Sequence, residues 1–289
     1  MKNKKATTST DENWDLVIQP KTGWFKLHLA DLWRYRDLVV LFVKRDLSVT
    51  YKQTVLGPLW FIIQPLFSTI IFTVVFGNIA KISTDGIPPF LFYMAGNVAW
   101  GYFANNLNGT SNTFVKNSSI FGKVYFPRIA VPVSIVISNL AKFGVQFLLF
   151  MGFYIYFSFS GSDLKLNINI FYMPLLIFQM AILALGMGVF ISSLVTKYRD
   201  FTVLMTFGVQ LWFYATPVVY PVSQVPEKYQ MLYLLNPMAV VIENFKYIFF
   251  QQGTVYLDMI AISWVTTFVI FFVGLLRFNQ VEKGFMDTV

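Results

Sequence analysis

The sequence contains no cysteine and a single histidine, His28. Disulfides, thiolate metal sites and cysteine nucleophiles are thereby excluded, as is any histidine-rich metal cluster. Charge is also scarce, with Asp, Glu, Lys and Arg making up 12% of the 289 residues. No G-x-x-x-x-G-K-[ST] loop is present, so the chain cannot hydrolyse a nucleotide by that route. H-E-x-x-H and G-x-S-x-G are missing too, and no carboxylates pair within an apolar run. Glu243 lies between apolar segments and Asp258 near the end of one, so the ionisable relay of a proton-driven transporter is not expected. The first 55 residues lack a charged start followed by an apolar signal core. Insertion is therefore expected at an internal segment, with the N-terminus cytoplasmic.

What is present is apolar. Hydrophobic residues make up 56% of the chain, and its mean hydropathy is +0.59, which together define an all-α integral membrane protein. Apolar stretches of spanning length, about 20 residues each, are read at 59–80, 90–113, 129–157, 171–195, 201–220 and 255–276. Six spans place both termini on one side. Of the 22 Lys and Arg residues, 17 fall on that side and only Lys81, Lys165, Lys228 and Lys246 on the other, with Lys142 inside the third span. Excess cations mark cytoplasmic loops, so both termini are predicted inside. The formal charge of +8 is accounted for in the same way, and nucleic acid is not an expected partner.

Three regions follow. Residues 1–26 form a polar cytoplasmic tail and an edge segment with a Pro-Lys-Thr-Gly turn. Residues 27–56 form an amphipathic interfacial helix, with Leu32, Tyr35, Val39, Phe42 and Val43 on one face and Arg34, Asp37, Lys44 and Arg45 on the other. Residues 57–289 carry the six spans, with a hairpin at 221–254 that Asn236-Pro237 divides into two pieces too short to cross a bilayer. That hairpin either dips into the outer leaflet or rests on it as a lid. Pro65 is expected to kink the first span or free a carbonyl there.

Several positions bear two readings. The polar later half of the second span, Asn105 to Thr113, faces either a wet pathway or neighbouring helices through hydrogen bonds. Asn139, Lys142 and Gln146 share one helical stripe, and Lys142 either snorkels or meets a passing substrate. Aromatic residues make up 19% of the chain. Among them Trp60, Trp100, Tyr102, Phe103, Trp212, Phe213 and Tyr214 offer flat faces suited to sugar rings, or to ordinary packing and interfacial belts. The interfacial helix itself is either a plain surface anchor or a gate.

Four motifs occur in order: Arg45-Asp46 followed by Tyr51-Lys52-Gln53-Thr54-Val55-Leu56-Gly57-Pro58-Leu59-Trp60 and Pro65; Phe126-Pro127-Arg128 with Pro132; Tyr198-Arg199-Asp200; and Asn236-Pro237. In these the chain, over about residues 20–280, resembles the permease subunit of type-2 ATP-binding-cassette exporters for lipid-linked polysaccharide, the O-antigen, capsule and teichoic acid permeases. The resemblance leans toward O-antigen export. It implies a non-catalytic homodimer in the bacterial inner membrane with two separate cytoplasmic ATPase subunits, which hold the ATP and Mg, and undecaprenyl-pyrophosphate-linked polysaccharide as cargo. Arg34, Arg36, Arg45, Lys52, Leu56 and Gly57 would form a lipid-pyrophosphate gate. Lys116, Phe121, Lys123, Tyr125, Phe126, Pro127 and Arg128, with Lys197, Tyr198, Arg199 and Asp200, would couple to the ATPase. No cofactor or metal site is expected in the chain itself. A drug or small-lipid exporter permease is the alternative within transport, and a membrane-embedded glycosyl- or acyltransferase the alternative outside it.

Overall fold

The computed structural model describes residues 29–52, 56–124, 126–161, 164, 168–253 and 257–288. The tail and edge segment expected at 1–26, positions 53–55 of the first motif and Tyr125 lie outside these residues. Among the described residues the regular structure is entirely helical. The helices are α1 (Leu29–Arg34), α2 (Arg36–Tyr51), α3 (Trp60–Phe72), α4 (Pro89–Ser111), α5 (Thr113–Lys116), α6 (Ser118–Phe121), α7 (Ala130–Phe159), α8 (Met173–Lys197), α9 (Phe201–Tyr214), α10 (Glu227–Leu234), α11 (Pro237–Phe250) and α12 (Leu257–Thr288).

The amphipathic run, expected as one helix over 27–56, is two: a turn at Tyr35 separates α1 from α2, and α2 ends at Tyr51. Asp37 in the first turn of α2 complements the helix dipole. The helix ends where Lys52 turns extended, its N–H still bonded to the Ser48 carbonyl at 2.9 Å. Gly57 then takes a φ of 45°, a left-handed conformation that a Cβ would strain, and a 3-10 turn, Gly57–Leu59, leads into α3. α3 runs through Pro65 without interruption, and the departure from α geometry comes later, in a π-helical turn at Thr73–Ile79. Pro65 lacks the N–H that the Phe61 carbonyl would accept.

Contacts at the loop ends show that the long helices run between two common ends. At one end Phe114, just after α4, donates its N–H to Ser192 near the end of α8, and Arg128, just before α7, bonds Glu282 near the end of α12. At the other end Asp85 of the α3–α4 loop accepts from Ser223 after α9, and Tyr154 late in α7 donates to the Phe249 carbonyl of α11. The expected cytoplasmic cations Arg45, Lys52, Lys116, Lys123, Arg128 and Lys197 belong to elements at the first end.

Four segments are long and apolar enough to cross a membrane: Gly57–Ile79, Ala130–Phe159, Ile168–Lys197 and Leu257–Glu282. The other two expected spans are helical but differ in kind. α4 is long enough, at 23 residues, but polar and almost wholly enclosed by its neighbours. α9 has only 14 residues and stops at Tyr214, six short of the expected end. Pro217 supplies no N–H to continue it, and the Val218 N–H turns back to the Thr216 carbonyl at 2.7 Å.

Since lipid tails are as apolar as Leu, helices in a membrane hold together through close packing and interhelical hydrogen bonds. α8 packs most tightly. A Cβ on Gly274 of α12 would stand 2.0 Å from the Gly186 carbonyl oxygen, and one on Gly188 would overlap Thr110 of α4. Gln179 donates to Ser263 across the α8–α12 seam at 2.8 Å.

The polar half of α4 follows the interhelical reading. Asn106, Thr110, Ser111 and Thr113 are buried, and Asn139 of α7 donates to the Asn106 side chain at 2.9 Å.

The hairpin divides at Asn236-Pro237 as expected. The Asn236 side chain accepts the Met238 N–H at 3.1 Å and caps α11, while its amide donates to Ala215 and Thr216. Pro237 occupies the first helical turn, where its missing N–H costs nothing.

Candidate functional site

The exposed face of α2 carries an open groove of about 450 Å³ lined by Leu41, Lys44, Arg45, Ser48, Val49 and Lys52. These positions recur every three or four residues, so a single helix brings them to one side. Three cations and a hydroxyl lie beside two aliphatic side chains, a combination suited to an anionic head attached to an apolar tail.

Arg45 is held in place within the groove. Its Nε and Nη2 both donate to Asp46 Oδ1, at 3.0 and 2.8 Å, and its guanidinium lies 4.8 Å from the Phe42 ring centroid. The opposite face of α2 is anchored, with Val39 and Phe42 buried against Phe126, Ala130 and Val131. Lys142 of α7 lies over the Phe61 ring of α3 at 5.7 Å and feels the Asp46 carboxylate, which ties α7 to α2.

The structure brings Arg45 and Lys52 together but sets Arg34 and Arg36 apart at the α1–α2 junction. There Arg36 stacks over Trp33 at 5.7 Å and approaches Asp37 at 3.9 Å. Leu56 is exposed and Gly57 buried, just beyond the groove. Lys44 and Ser48 are new to the group. Their sequence signal is the i, i+4, i+8 series that they form with Lys52.

The expected ATPase-coupling residues divide by direction. Lys116 and Lys123 point outward, Pro127 is half-buried, and Phe121 and Phe126 are buried. Arg128 donates through Nη1 to the Glu282 carbonyl at 2.6 Å and lies 5.6 Å over the Phe121 ring. Burial pulls its guanidinium below the usual range, and the Glu282 charge opposes that. The second contact, Lys197, Tyr198, Arg199 and Asp200, is exposed throughout, with Lys197 over the Tyr198 ring at 5.2 Å.

The seven aromatics also separate. Trp100, Tyr102 and Phe103 are buried within the protomer. Trp212 packs edge-on against Trp100 and Phe103 at 6.1 and 5.1 Å, and Phe213 against Trp100 at 5.8 Å. Trp60 and Tyr214 are exposed, and Trp212 and Phe213 half-buried, so these four retain surface for a ligand.

Four helices of spanning length define a multi-pass membrane protein. The chain belongs to the ABC-2 type transporter family, whose pattern matches residues 37–250. It is similar to two O-antigen export system permease proteins RfbA of Klebsiella pneumoniae. Each is 29% identical, over 254 and 253 residues, in alignments covering 88% of this chain and 95% of the relative. A Myxococcus xanthus protein of the same name is 25% identical over 229 residues, 78% of this chain and 84% of its own length.

Proposed function

We propose that the protein is the permease of an ATP-driven exporter that moves undecaprenyl-pyrophosphate-linked polysaccharide, of the O-antigen type, across the bacterial inner membrane. Two copies form the pathway, and two separate ATPase subunits supply ATP and Mg chemistry beneath them. In this reading α4 and α9 cross the membrane together with the four apolar segments, giving six spans with both termini cytoplasmic. A polar helix such as α4 is tolerated there because protein, rather than lipid, surrounds it.

The observation that carries the substrate reading is the α2 groove. A pyrophosphate head cannot enter hydrocarbon unassisted, and Lys44, Arg45 and Lys52 offer it countercharge at the membrane surface. Leu41 and Val49 give the adjoining polyprenyl chain an apolar rest. The outward residues Lys116 and Lys123, with Lys197 to Asp200, meet the ATPase. The exposed rings of Trp60, Trp212, Phe213 and Tyr214 serve the sugar chain.

The direct test is the pair Arg45→Gln with Lys52→Gln, at positions where each cation near an anionic group contributes about 1 kcal/mol. The two together contribute about 2 kcal/mol, so polymer export is expected to fall roughly thirtyfold while the complex still assembles. Unchanged export in an assembled double variant contradicts the gate.

A further inference from the structure

We propose that the C-terminal part of α12 is a positioning element of the coupling machinery: Phe278 and Glu282 brace the loop between α4 and α7 so that its displacement moves α2. This rests on the ATPase-docking role proposed above for residues 116–128.

Among its described residues that loop contains only two four-residue helices, α5 and α6, too short to be stiff alone. Its rigidity must come from what it leans on. One support is Phe278, fully buried and stacked on Phe114 at 4.6 Å with the ring planes 24° apart. Another is Glu282, whose carbonyl accepts from Arg128 Nη1 at 2.6 Å and whose Oε1 accepts from the Arg128 N–H at 3.3 Å. The loop is thus held near both ends by the same stretch of α12.

From these supports the packing runs unbroken to the groove. Phe114 meets Phe121 at 5.9 Å, Phe121 meets Phe126 at 5.7 Å, and Phe126 meets Phe42 of α2 at 5.6 Å. Arg45 then lies over Phe42 at 4.8 Å. Close-packed aromatic groups transmit displacement because they have no free volume to absorb it. On the outer side Lys116 and Lys123 remain free to face a partner. A push delivered there reaches α2 only if the loop does not yield toward α12, and Phe278 and Glu282 prevent that yielding.

The test compares Glu282→Ala, Phe278→Leu and Glu282→Gln in the full permease–ATPase complex, reading ATPase copurification, ATP hydrolysis and polymer exported per ATP. Glu282→Ala removes the carboxylate acceptor, and Phe278→Leu keeps apolar bulk without the ring stack. Both are expected to copurify and hydrolyse ATP as the native complex does, yet to export roughly two- to thirtyfold less polymer per ATP, the range of measured coupling effects. Glu282→Gln keeps an acceptor oxygen and should export normally. Native export per ATP in both Glu282→Ala and Phe278→Leu overturns the proposal. So does a parallel fall of copurification, hydrolysis and export, which marks a merely structural role. Lys116→Glu with Lys123→Glu tests the docking reading separately: undiminished copurification in that variant defeats docking whatever the Glu282 result.

Discussion

Lys246 is 2% exposed on α11, a buried charged side chain among the described residues. Its Nζ donates to the Pro217 carbonyl and lies 3.3 Å over the Phe92 ring, so one ammonium joins α11, the chain after α9, and α4. Glu243 lies one turn away on α11, Asp85 approaches from the α3–α4 loop, and Tyr233 of α10 feels Glu243. Burial pushes Lys246 down to about 7, against the pull of both carboxylates, and pushes Glu243 up. Because the folded value of Lys246 is depressed from its ordinary 10.5, its contribution to stability is present above that ordinary value and is lost as pH falls through about 7. Raised Glu243 acts with the opposite sign, losing stability as pH rises from its ordinary range through its folded value. Lys246→Met leaves the Pro217 carbonyl buried without this donor, at a cost of about 1–3 kcal/mol. Thermal melting in detergent at about pH 10, where burial of the native lysine carries the least penalty, should therefore show a lower Tm for the variant, and the Tm of the variant should rise less between pH 7 and about pH 10 than that of the native protein. Equal Tm values and equal slopes contradict this role. Sequence placed Lys246 only among the external cations. The legible sign was two charges, Glu243 and Lys246, within the apolar run of α11.

At the scale of helices, the seam between α8 and α12 is set by glycine. The Gly274 position has no room for a Cβ against the Gly186 carbonyl, whereas a Cβ on Gly144 of α7 meets nothing within 4 Å. Gly274→Leu must push α12 from α8 and break the Gln179–Ser263 bond, costing at least about 1–3 kcal/mol. Gly144→Ala should be tolerated. Yield of folded protein and melting temperature check both, and a stable Gly274→Leu contradicts the seam. The amphipathic pattern of α2, the division at Asn236-Pro237 and the four long apolar segments were legible because charge period, proline position and hydropathy each act locally, whereas the break at Tyr35 between α1 and α2 was not. The end of α9 was not. The stretch 215–220 is apolar enough to extend a span, and only Pro217 and the Thr216 turn decide that it does not. The seven aromatics show the same limit: composition says that rings are present, but burial of Trp100, Tyr102 and Phe103 depends on which helices pack around α4.

On the scale of the whole molecule, two layers of contact lie at opposite ends of the long helices. At one end, the buried cluster that includes Phe42, Phe114, Phe126 and Phe278 holds the interfacial helix, the α4–α7 loop and the last helix together. At the other, Asp85, Ser223 and Lys246 gather the α3–α4 loop, the chain after α9 and α11. Between them the exposed apolar faces of α3 and α9, including Phe67, Val203, Leu204 and Phe207, suit lipid or a second copy of the chain. Membership in the transporter family was legible from four short motifs in order, while the bracing of the loop by α12 was not, since Arg128 and Glu282 are 154 residues apart. The most direct measurement reconstitutes the permease with its ATPase in vesicles and follows polyprenyl-pyrophosphate-linked polysaccharide across the bilayer. The expected result is polymer transfer that requires ATP and the ATPase and that falls with Arg45→Gln and Lys52→Gln. An assembled, ATP-hydrolysing complex that leaves the polymer in place, or moves only a drug or short-chain lipid, contradicts the proposed function.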